Sequence, residues 1–536
     1  MADELAEHHT PDADGALSAA RPTATEPEQP LADRVNNRSQ RPSSAAFLAF
    51  VADRWADRTA LPSAPGAVGP FAAARRDRLS ALFPGERLVI PAGPLVTRSN
   101  DTDYRFRPHS AFAHLTGLGT DQEPDAVLVL HPVDDGHEAA LYFRPLAGRD
   151  SEEFFADSRY GEFWVGARPS LADLAAFTGI RTAPLDELAE ALRKDVGPDG
   201  VRLRVVPDAD PAVSHLVEQA RASADAERSD EAGVDARTGD DRGTDDERDA
   251  ELAQALSELR LVKDDFEVAE MRRAVAATVA GFERVVRNLS RAATHPRGER
   301  VIEAAFDGHA REEGNAVGYE TIAASGDHAT TLHWIRNDGV VHPGDLILID
   351  AGVEVESLYT ADITRTLPVD GRFTEVQRRV YQAVLDAADA AFAVARPGAR
   401  FRDVHAAAMD VIAARLGEWG LLPGSVEESL DPEGQFHRRW MVHGTSHHLG
   451  LDVHDCAHAR REMYLDAVLE PGMVFTIEPG LYFKADDLAV PEEMRGIGVR
   501  IEDDVLITPD GHDNLSAALP RRPEDVEAWM ERLLQD

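Results

Sequence analysis

The chain has 536 residues, a formal net charge of −40 and a single cysteine. Its length exceeds what one hydrophobic core usually supports, so at least two domains are expected. The excess of 96 acidic over 56 basic residues argues against a nucleic-acid-binding surface, and no apolar run is long enough to span a membrane. One cysteine allows no intrachain disulfide and the first residues lack a secretory pattern, so we expect a cytoplasmic protein.

Two segments have the composition of disordered chain. Residues 1–43 are rich in Ala, Pro, Glu, Asp and Ser, and residues 222–250 contain no aromatic residue and a large acidic excess. Segments of this kind bury too little apolar surface to offset the entropy of ordering. The sequence therefore predicts an N-terminal domain of residues 44–221 and a C-terminal domain of residues 251–536.

Predicted helices and short apolar strands alternate in the N-terminal domain, which indicates an α/β domain. Helices are predicted over residues 75–82, 173–177 and 185–192, and strands over residues 87–90, 125–131 and 141–143.

The C-terminal domain combines long helices with separate strands. Apolar residues at helical spacing predict helices over residues 263–286, 301–311, 401–416 and 523–534. A capping box at Thr374 and Gln377 opens another helix, which stops at Pro397. Strands are predicted over residues 346–349, 360–369, 473–477 and 499–505.

The stretch VHGTSHHLGLDVHD, residues 442–455, concentrates potential ligands. It contains four histidines, interrupted by Gly444 and Gly450. The glycines argue against a regular helix, and the stretch does not match the H-E-x-x-H motif of helical zinc proteases. By itself it could be a polar surface loop.

Four carboxylates lie on or beside the apolar strands: Asp350, Asp362, Glu478 and Glu502. A buried carboxylate is costly unless it is paired or binds a metal. One alone could pair with an arginine, but four beside a histidine cluster favour an oxygen-rich centre suited to Mn²⁺, Fe²⁺ or Co²⁺. Bridging carboxylates would let five ligands hold two ions about 3.5–4 Å apart with a hydroxide between them, which is suited to amide hydrolysis.

The motifs LILIDAG (346–352), ADITRTLPV (361–369), VFTIEPGLY (474–482) and RGIGVRIEDDVLIT (495–508), together with the histidine-rich stretch, resemble those of the aminopeptidase P (Xaa-Pro aminopeptidase) family. Methionine aminopeptidase, prolidase and creatinase share its pita-bread catalytic fold. DTDYRFRPHSAFAHLTGL, residues 101–118, resembles the non-catalytic domain of the family. The resemblance implies an α/β N-terminal domain followed by an α+β pita-bread catalytic domain.

The resemblance also implies a set of metal ligands. Asp350 is expected to bind one ion, Asp362 and Glu502 to bridge both, and His447 and Glu478 to bind the other. Glu478 is also expected to accept a proton from the attacking water. The implied cofactors are two divalent ions, with Mn²⁺ favoured.

The resemblance also implies roles for further residues, which stand at matching positions in the motifs. The resemblance places His333 near the scissile bond, His443 as a donor to the carbonyl or the developing oxyanion, and His454 beside the substrate proline. Arg500 shares a strand face with Glu502 and could orient a ligand carboxylate, or form an ordinary ion pair. His448 and Cys456 are assigned no role.

The implied activity is hydrolysis of the N-terminal Xaa-Pro bond of peptides through a hydroxide that bridges the two metals. The expected partners are peptides with proline second and further copies of the chain, as a dimer or tetramer. A prolidase, restricted to Xaa-Pro dipeptides, would use the same ligands. A non-catalytic pita-bread binding protein would typically lack some of them, and a creatinase-type hydrolase would not need the metal pair.

Overall fold

The computed structural model describes residues 42, 44–58, 66–197, 200–232 and 244–535. The tail predicted for residues 1–43 falls almost entirely outside them. The chain separates into two compact units. One comprises residues 1–56, 97–103 and 147–167, and the other comprises residues 57–96, 104–146 and 168–536.

The smaller unit contains short elements. Its helices are Ala45–Ala52, Glu152–Ala156 and Glu162–Val165, and Thr97–Ser99 pairs with Thr102–Asp103. Trp55 packs edge-on against Phe154 and Phe163, with ring centroids 5.5 and 6.0 Å apart. Aromatic contacts of this geometry add to the stability that burial provides.

The N-terminal part of the larger unit is built around one mixed sheet. Its elements are α1 (Gly69–Leu82), β1 (Glu86–Pro91), α2 (Ser110–Thr116), β2 (Val127–Val133), β3 (Gly136–Phe143), α3 (Leu171–Thr178), β4 (Arg181–Pro184), α4 (Leu188–Arg193), β5 (Arg202–Val205), α5 (Pro211–Ala232) and α6 (Asp245–Leu259). The strand order is β4-β3-β2-β1-β5. Strands β1, β2 and β3 run antiparallel, and both outer pairs are parallel.

Alternate side chains of this sheet belong to different core clusters. Leu88 and Leu128 join one cluster, whereas Val89 and Val129 join another. A sheet buried on both faces has this alternation. The predicted α/β organisation of this region is confirmed.

The two ends of the segment predicted to be disordered, residues 222–250, are instead helical. Helix α5 continues to Ala232, and α6 begins at a capping box of Thr244 and Glu247. Asp249 is buried, pairs with Arg221 at 2.7 Å and accepts a hydrogen bond from the Val205 backbone at 2.8 Å. Composition suggested solvated chain, but capping and this buried pair stabilise helix. Residues 233–243 lie outside the described residues.

The C-terminal part combines long helices with small sheets. Its elements are α7 (Asp265–Ala292), α8 (Gly298–Glu313), β6 (Ala316–Val317), β7 (Ile322–Ser325), β8 (Leu346–Ala351), β9 (Val353–Glu354), β10 (Ile363–Pro368), α9 (Glu375–Val394), α10 (Phe401–Glu418), α11 (Val426–Leu430), β11 (Val474–Ile477), β12 (Gly480–Phe483), β13 (Ile497–Arg500), β14 (Asp503–Thr508), β15 (Gly511–Asn514) and α12 (Pro523–Gln535).

These strands form antiparallel sheets that present their ends to one region. The orders are β10-β8-β7 and β11-β14-β15, with β12 paired to β13 and β9 to β6. The helices pack in pairs, α7 on α8 and α9 on α10. Their apolar faces and the strands share one core. This arrangement fits the expected α+β domain.

The single strand predicted over residues 499–505 is two strands in the structure. β13 ends at Arg500 and pairs with β12, and β14 begins at Asp503 and pairs with β11. Between them, the backbone N–H of Ile501 donates to the carbonyl of Pro479, and that of Glu502 donates to the carbonyl of Thr364. The break therefore places Glu502 between two sheets rather than within one.

Candidate metal centre and active site

One cavity of about 470 Å³ in the C-terminal part brings the predicted site residues together. Its lining includes every residue to which the sequence analysis gave a role in the site: His333, Asp350, Asp362, His443, His447, His454, Glu478, Arg500 and Glu502. Cavities of this size are typical of sites that hold a small molecule or the end of a peptide.

Thr364, on β10, ties the carboxylate of Glu502 to Arg500. The hydroxyl of Thr364 donates to Glu502 Oε2 at 2.6 Å and accepts from Arg500 Nε at 3.0 Å. Asp350 lies opposite Thr364 in the β8–β10 ladder, and Asp362 directly precedes β10. Strand pairing thus brings together carboxylates that are far apart in sequence.

His447 is held with its Nε2 toward the carboxylates. Its backbone N–H donates to Thr476 Oγ1 at 3.2 Å, and its Nδ1 lies 3.2 Å from the carbonyl of His448. Nε2 is then 3.2 Å from Asp362 Oδ2 and 3.6 Å from Glu478 Oε1. Burial alone would lower the pKa of His447, but the hydrogen bond that its ring donates to Asp362 and the charge of Glu478 raise it to about 9.

Negative charge exceeds positive charge at this site. Burial raises the pKa of Glu478 to about 7, although His447 and Arg500 act in the opposite direction. Burial and the charges of Asp362 and Glu478 also raise the pKa of Glu502 well above its usual range. Carboxylates crowded in this way ionise together when cations compensate for them.

The donor set fits divalent metal ions. Asp362, His447 and Glu502 each offer a ligand atom, and these atoms lie within 4.8 Å of one another. Four carboxylates and one imidazole form the hard, oxygen-rich set that Mn²⁺ and similar ions prefer. The excess of negative charge at the site independently indicates that it binds cations.

Arg500 forms an ion pair and orients a ligand candidate at once. Its Nη2 pairs with Asp350 Oδ2, and its Nε lies 3.8 Å from Glu502 Oε2. The guanidinium therefore fixes one oxygen of Asp350, while the other accepts a hydrogen bond from the hydroxyl of Tyr319. Both interpretations of Arg500 from the sequence describe the same contact.

Two tyrosines at the site were missed by the sequence analysis. Tyr319 Oη lies 2.7 Å from Asp350 Oδ1 and 2.5 Å from Asp362 Oδ1. Tyr482 Oη lies 2.7 Å from His443 Nε2 and accepts from Arg500 Nη1 at 3.2 Å. Tyr482 stands inside the motif VFTIEPGLY, which offered a signal, whereas nothing in the sequence around Tyr319 singled it out.

The remaining histidines differ in environment. Burial, followed by the charge of Arg500, lowers the pKa of His443 to about 3, so its ring is neutral near pH 7. His454 packs edge-on against His447 with centroids 4.5 Å apart. His333 is exposed at the cavity wall. His448 lies outside the cavity, buried and stacked on Phe401 at 4.8 Å, which makes it part of the core.

Two family models match the chain. Metallopeptidase family M24 matches residues 269–509, and the aminopeptidase P N-terminal domain matches residues 72–202. Among the described residues, no helix combines the length and apolarity needed to cross a bilayer.

Curated relatives and solved structures agree with these models. The chain is 51% identical to Xaa-Pro aminopeptidase 1 of Streptomyces coelicolor over 512 residues, 95% of this chain and 97% of that protein. It is 34% identical to Xaa-Pro aminopeptidase of Escherichia coli over 460 residues, 86% of this chain and 97% of that protein. The solved aminopeptidase PepP of Pseudomonas aeruginosa matches with a TM-score of 0.75 and 30% identity, covering 89% of this chain and 100% of that chain.

The fold and the site define a metallopeptidase with a pita-bread catalytic domain that uses divalent metal and acts on peptides. The chain belongs to the Xaa-Pro aminopeptidase (aminopeptidase P) family. The resemblance drawn from the motifs is confirmed, and the comparisons favour an aminopeptidase P over a prolidase.

Proposed function

We propose that the protein removes the N-terminal residue from peptides whose second residue is proline. The observation that carries the proposal is the convergence of Asp350, Asp362, His447, Glu478 and Glu502 on one cavity. Relatives at up to 51% identity named Xaa-Pro aminopeptidase support the substrate class.

We propose that these residues hold two divalent ions and that Mn²⁺ supports activity best. Asp350 would bind one ion, Asp362 and Glu502 both, and His447 and Glu478 the other. When bound, the ions supply a hydroxide nucleophile at neutral pH and polarise the scissile carbonyl. The excess of negative charge at the site supports a requirement for more than one positive charge.

Glu478 is the proposed proton acceptor. Its Oε2 lies 3.5 Å from His443 Nδ1 and its Oε1 lies 3.6 Å from His447 Nε2. In the metal-free site burial raises its pKa to about 7, and bound cations would lower it, so that the carboxylate is ionised and can accept a proton at neutral pH. Glu478 directly follows β11, and only Pro479 separates it from β12.

His443 is the proposed donor to the substrate carbonyl, and it must change partners to act. Its Nδ1 donates to the carbonyl of Gly444 at 2.6 Å, so the neutral ring accepts at Nε2 from the hydroxyl of Tyr482 at 2.7 Å. Neither nitrogen has a free proton for the substrate in this arrangement. Donation requires the ring to exchange the carbonyl of Gly444 for the substrate oxygen. His454 would lie beside the proline and His333 near the scissile bond.

A peptide series tests the function. The metal-loaded protein should release alanine from Ala-Pro-Ala and leave Ala-Ala-Ala intact. Cleavage of Ala-Pro alone would instead identify a prolidase. Failure to cleave either proline peptide with any divalent ion would refute the proposal.

Three further expectations remain proposals. The domain boundaries at residues 44–221 and 251–536 rest on composition, and assembly into a dimer or tetramer rests on the family resemblance. A cytoplasmic location is supported by the single, buried cysteine, Cys456, which suits a reducing compartment.

A further inference from the structure

A second cavity of about 520 Å³ adjoins the active-site cavity. We call it the distal cavity; it is lined by Thr330, Leu332, Arg439, Trp440, Val442, Tyr482, Lys484, Asp486, Asp487, Leu488 and Ala489. Leu332 lines both cavities. Tyr482, in the wall of the distal cavity, bonds to His443 in the active site through its hydroxyl at 2.7 Å. The two spaces are therefore neighbours with a common wall.

Apolar side chains line part of the distal cavity and remain uncovered. Val442 is 51% exposed and Leu488 is 81% exposed, whereas Trp440, which also lines the cavity, is buried. An uncovered apolar rim beside a catalytic cavity fits the side chains of a bound peptide.

Most of the charge in the distal cavity is already compensated. Asp487 accepts from Arg439 at 3.0 and 2.7 Å, from the indole of Trp440 at 3.0 Å and from the backbone of Ala489 at 3.0 Å. The guanidinium of Arg439 and the carboxylate of Asp487 thus satisfy each other and form a fixed part of the wall.

Lys484 is different, because its charge is not compensated. Its ammonium donates to the carbonyl of Thr330 at 3.1 Å and lies 3.4 Å from the Thr330 hydroxyl. Among the described residues, no carboxylate forms an ion pair with it, although Asp486 lines the same cavity. The contacts of Lys484 with Thr330 hold the ammonium at the cavity while protons remain available to an anion.

We propose that the distal cavity is the subsite for the part of the peptide that follows the proline, and that Lys484 binds a carboxylate on that part. This inference rests on the proposed aminopeptidase function. The charges of the two cavities determine the direction in which the peptide lies. The N-terminal ammonium of the substrate is attracted by the carboxylates around Asp350, and Lys484 would repel it. The carboxyl end therefore extends toward Lys484. The carboxylate is the peptide C-terminus or an acidic side chain near it.

Matched peptides with and without a terminal charge test this inference. For Ala-Pro-Ala and Ala-Pro-Ala-Ala, the wild-type protein should prefer the free acid to the C-terminal amide by about fivefold in kcat/KM at one of the two lengths, the scale of an exposed ion pair. In Lys484→Gln the preference should fall to about one through an increase in KM, with kcat for the amides unchanged. Lys484→Arg should retain the preference, and Lys484→Glu should reverse it.

Two arms complete the experiment. Ala-Pro-Glu-amide compared with Ala-Pro-Gln-amide shows whether an acidic side chain supplies the carboxylate. Binding of the product peptide Pro-Ala and of its amide, measured by calorimetry, gives a readout that does not depend on turnover. Lys194→Gln, at an exposed lysine that directly follows α4, is the matched control and should behave as wild type.

The outcomes separate the two proposals. If every protein cleaves Ala-Pro-Ala but Lys484→Gln keeps each wild-type preference, or the wild type has none, the distal subsite is refuted and the aminopeptidase function stands. If the wild type cleaves no Xaa-Pro peptide, the function fails and the inference fails with it.

Discussion

The carboxylate of Glu299 accepts a hydrogen bond from the indole nitrogen of Trp334 at 2.9 Å. The same carboxylate, which is fully buried, accepts from the backbone of Ser325 at 2.9 Å, from His328 Nδ1 at 2.7 Å and from the backbone of Gly339 at 2.6 Å. One side chain at the start of α8 therefore anchors the irregular segment of residues 326–341. That segment carries three residues of the active-site wall: Leu332, His333 and Ile335.

Replacing Glu299 with glutamine should disturb the position of this segment. The amide of glutamine has only one accepting oxygen, and its NH2 group would face N–H groups that now donate to the carboxylate. Each buried donor left unpaired costs about 1–3 kcal/mol. We expect a lower melting temperature and a fall of about tenfold in kcat/KM, because the segment that carries part of the active-site wall would no longer be held in place. The amount of bound metal should be unchanged. Glu313→Gln, at an exposed glutamate on the same helix, is the control. Normal stability and activity in Glu299→Gln would show that the network is not needed.

Removal of metal should abolish activity. The oxygen-rich donor set around Asp362, His447 and Glu502 favours Mn²⁺ among the common divalent ions. We expect chelation to eliminate cleavage of Ala-Pro-Ala, and Mn²⁺ to restore it better than Zn²⁺ or Mg²⁺. Metal content measured beside activity links the two quantities. Full activity in protein shown to be free of metal would contradict the assignment.

The stabilisation that metal provides should increase with pH between about 6.5 and 9. In the metal-free protein, the pKa of Glu478 is raised to about 7 and that of His447 to about 9. Both groups bind protons in the folded state that the unfolded chain has released, so their contribution to stability is present at low pH and is lost as pH rises through these values. Metal binding requires both groups to be deprotonated, so it strengthens over the same range.

Melting temperatures of the metal-free and metal-loaded protein from pH 6.5 to 9 test this linkage. The window begins at pH 6.5 because buried neutral histidines such as His405 and His443, whose pKa values are lowered to about 4 and 3, give the opposite slope below it. The difference between the two melting temperatures should widen with pH. A constant difference would show that the site does not exchange protons for metal.

Glu478→Gln should reduce kcat by about two orders of magnitude or more, the usual scale for the loss of a general base. The substitution is nearly isosteric, so folding should survive. Bound metal must be measured together with kcat, because loss of metal would explain lost turnover without a role as base. Glu470→Gln, at an exposed glutamate shortly before β11, is the control. His448→Ala would be unsuitable, because the structure places that ring in the core against Phe401.

Asp249→Ala should destabilise the N-terminal sheet region. The carboxylate of Asp249 binds Arg221 and the backbone of Val205, so its removal leaves a half-buried guanidinium and a buried N–H without their partner. We expect a loss of about 3–5 kcal/mol, as for other broken buried pairs. Asp246→Ala, at an exposed position one turn earlier in the same helix, should cost little. Equal denaturation midpoints for the two variants would contradict a structural role for residues 244–250, the C-terminal end of the segment predicted to be disordered.

The sequence by itself determined the candidate carboxylate ligands. Asp350 and Glu478 are charged residues at the ends of apolar runs, and burial of charge is costly enough that few arrangements other than a metal site tolerate several of them. Periodicity likewise predicted the long helices of the catalytic part, because apolar spacing reports which face is buried. Each of these signals lies within one short segment of the chain.

Only the tertiary structure decided which distant side chains meet. Tyr319 contacts Asp350 and Asp362 from 31 and 43 positions away in sequence, and Lys484 contacts Thr330 from 154 away. A tyrosine or an exposed lysine is unremarkable within its own segment, so local pattern does not mark it. The register of paired strands and the packing of loops set these distances. These long-range contacts form only when the whole core folds, because the residues next to a side chain in sequence do not determine which distant residues will pack against it.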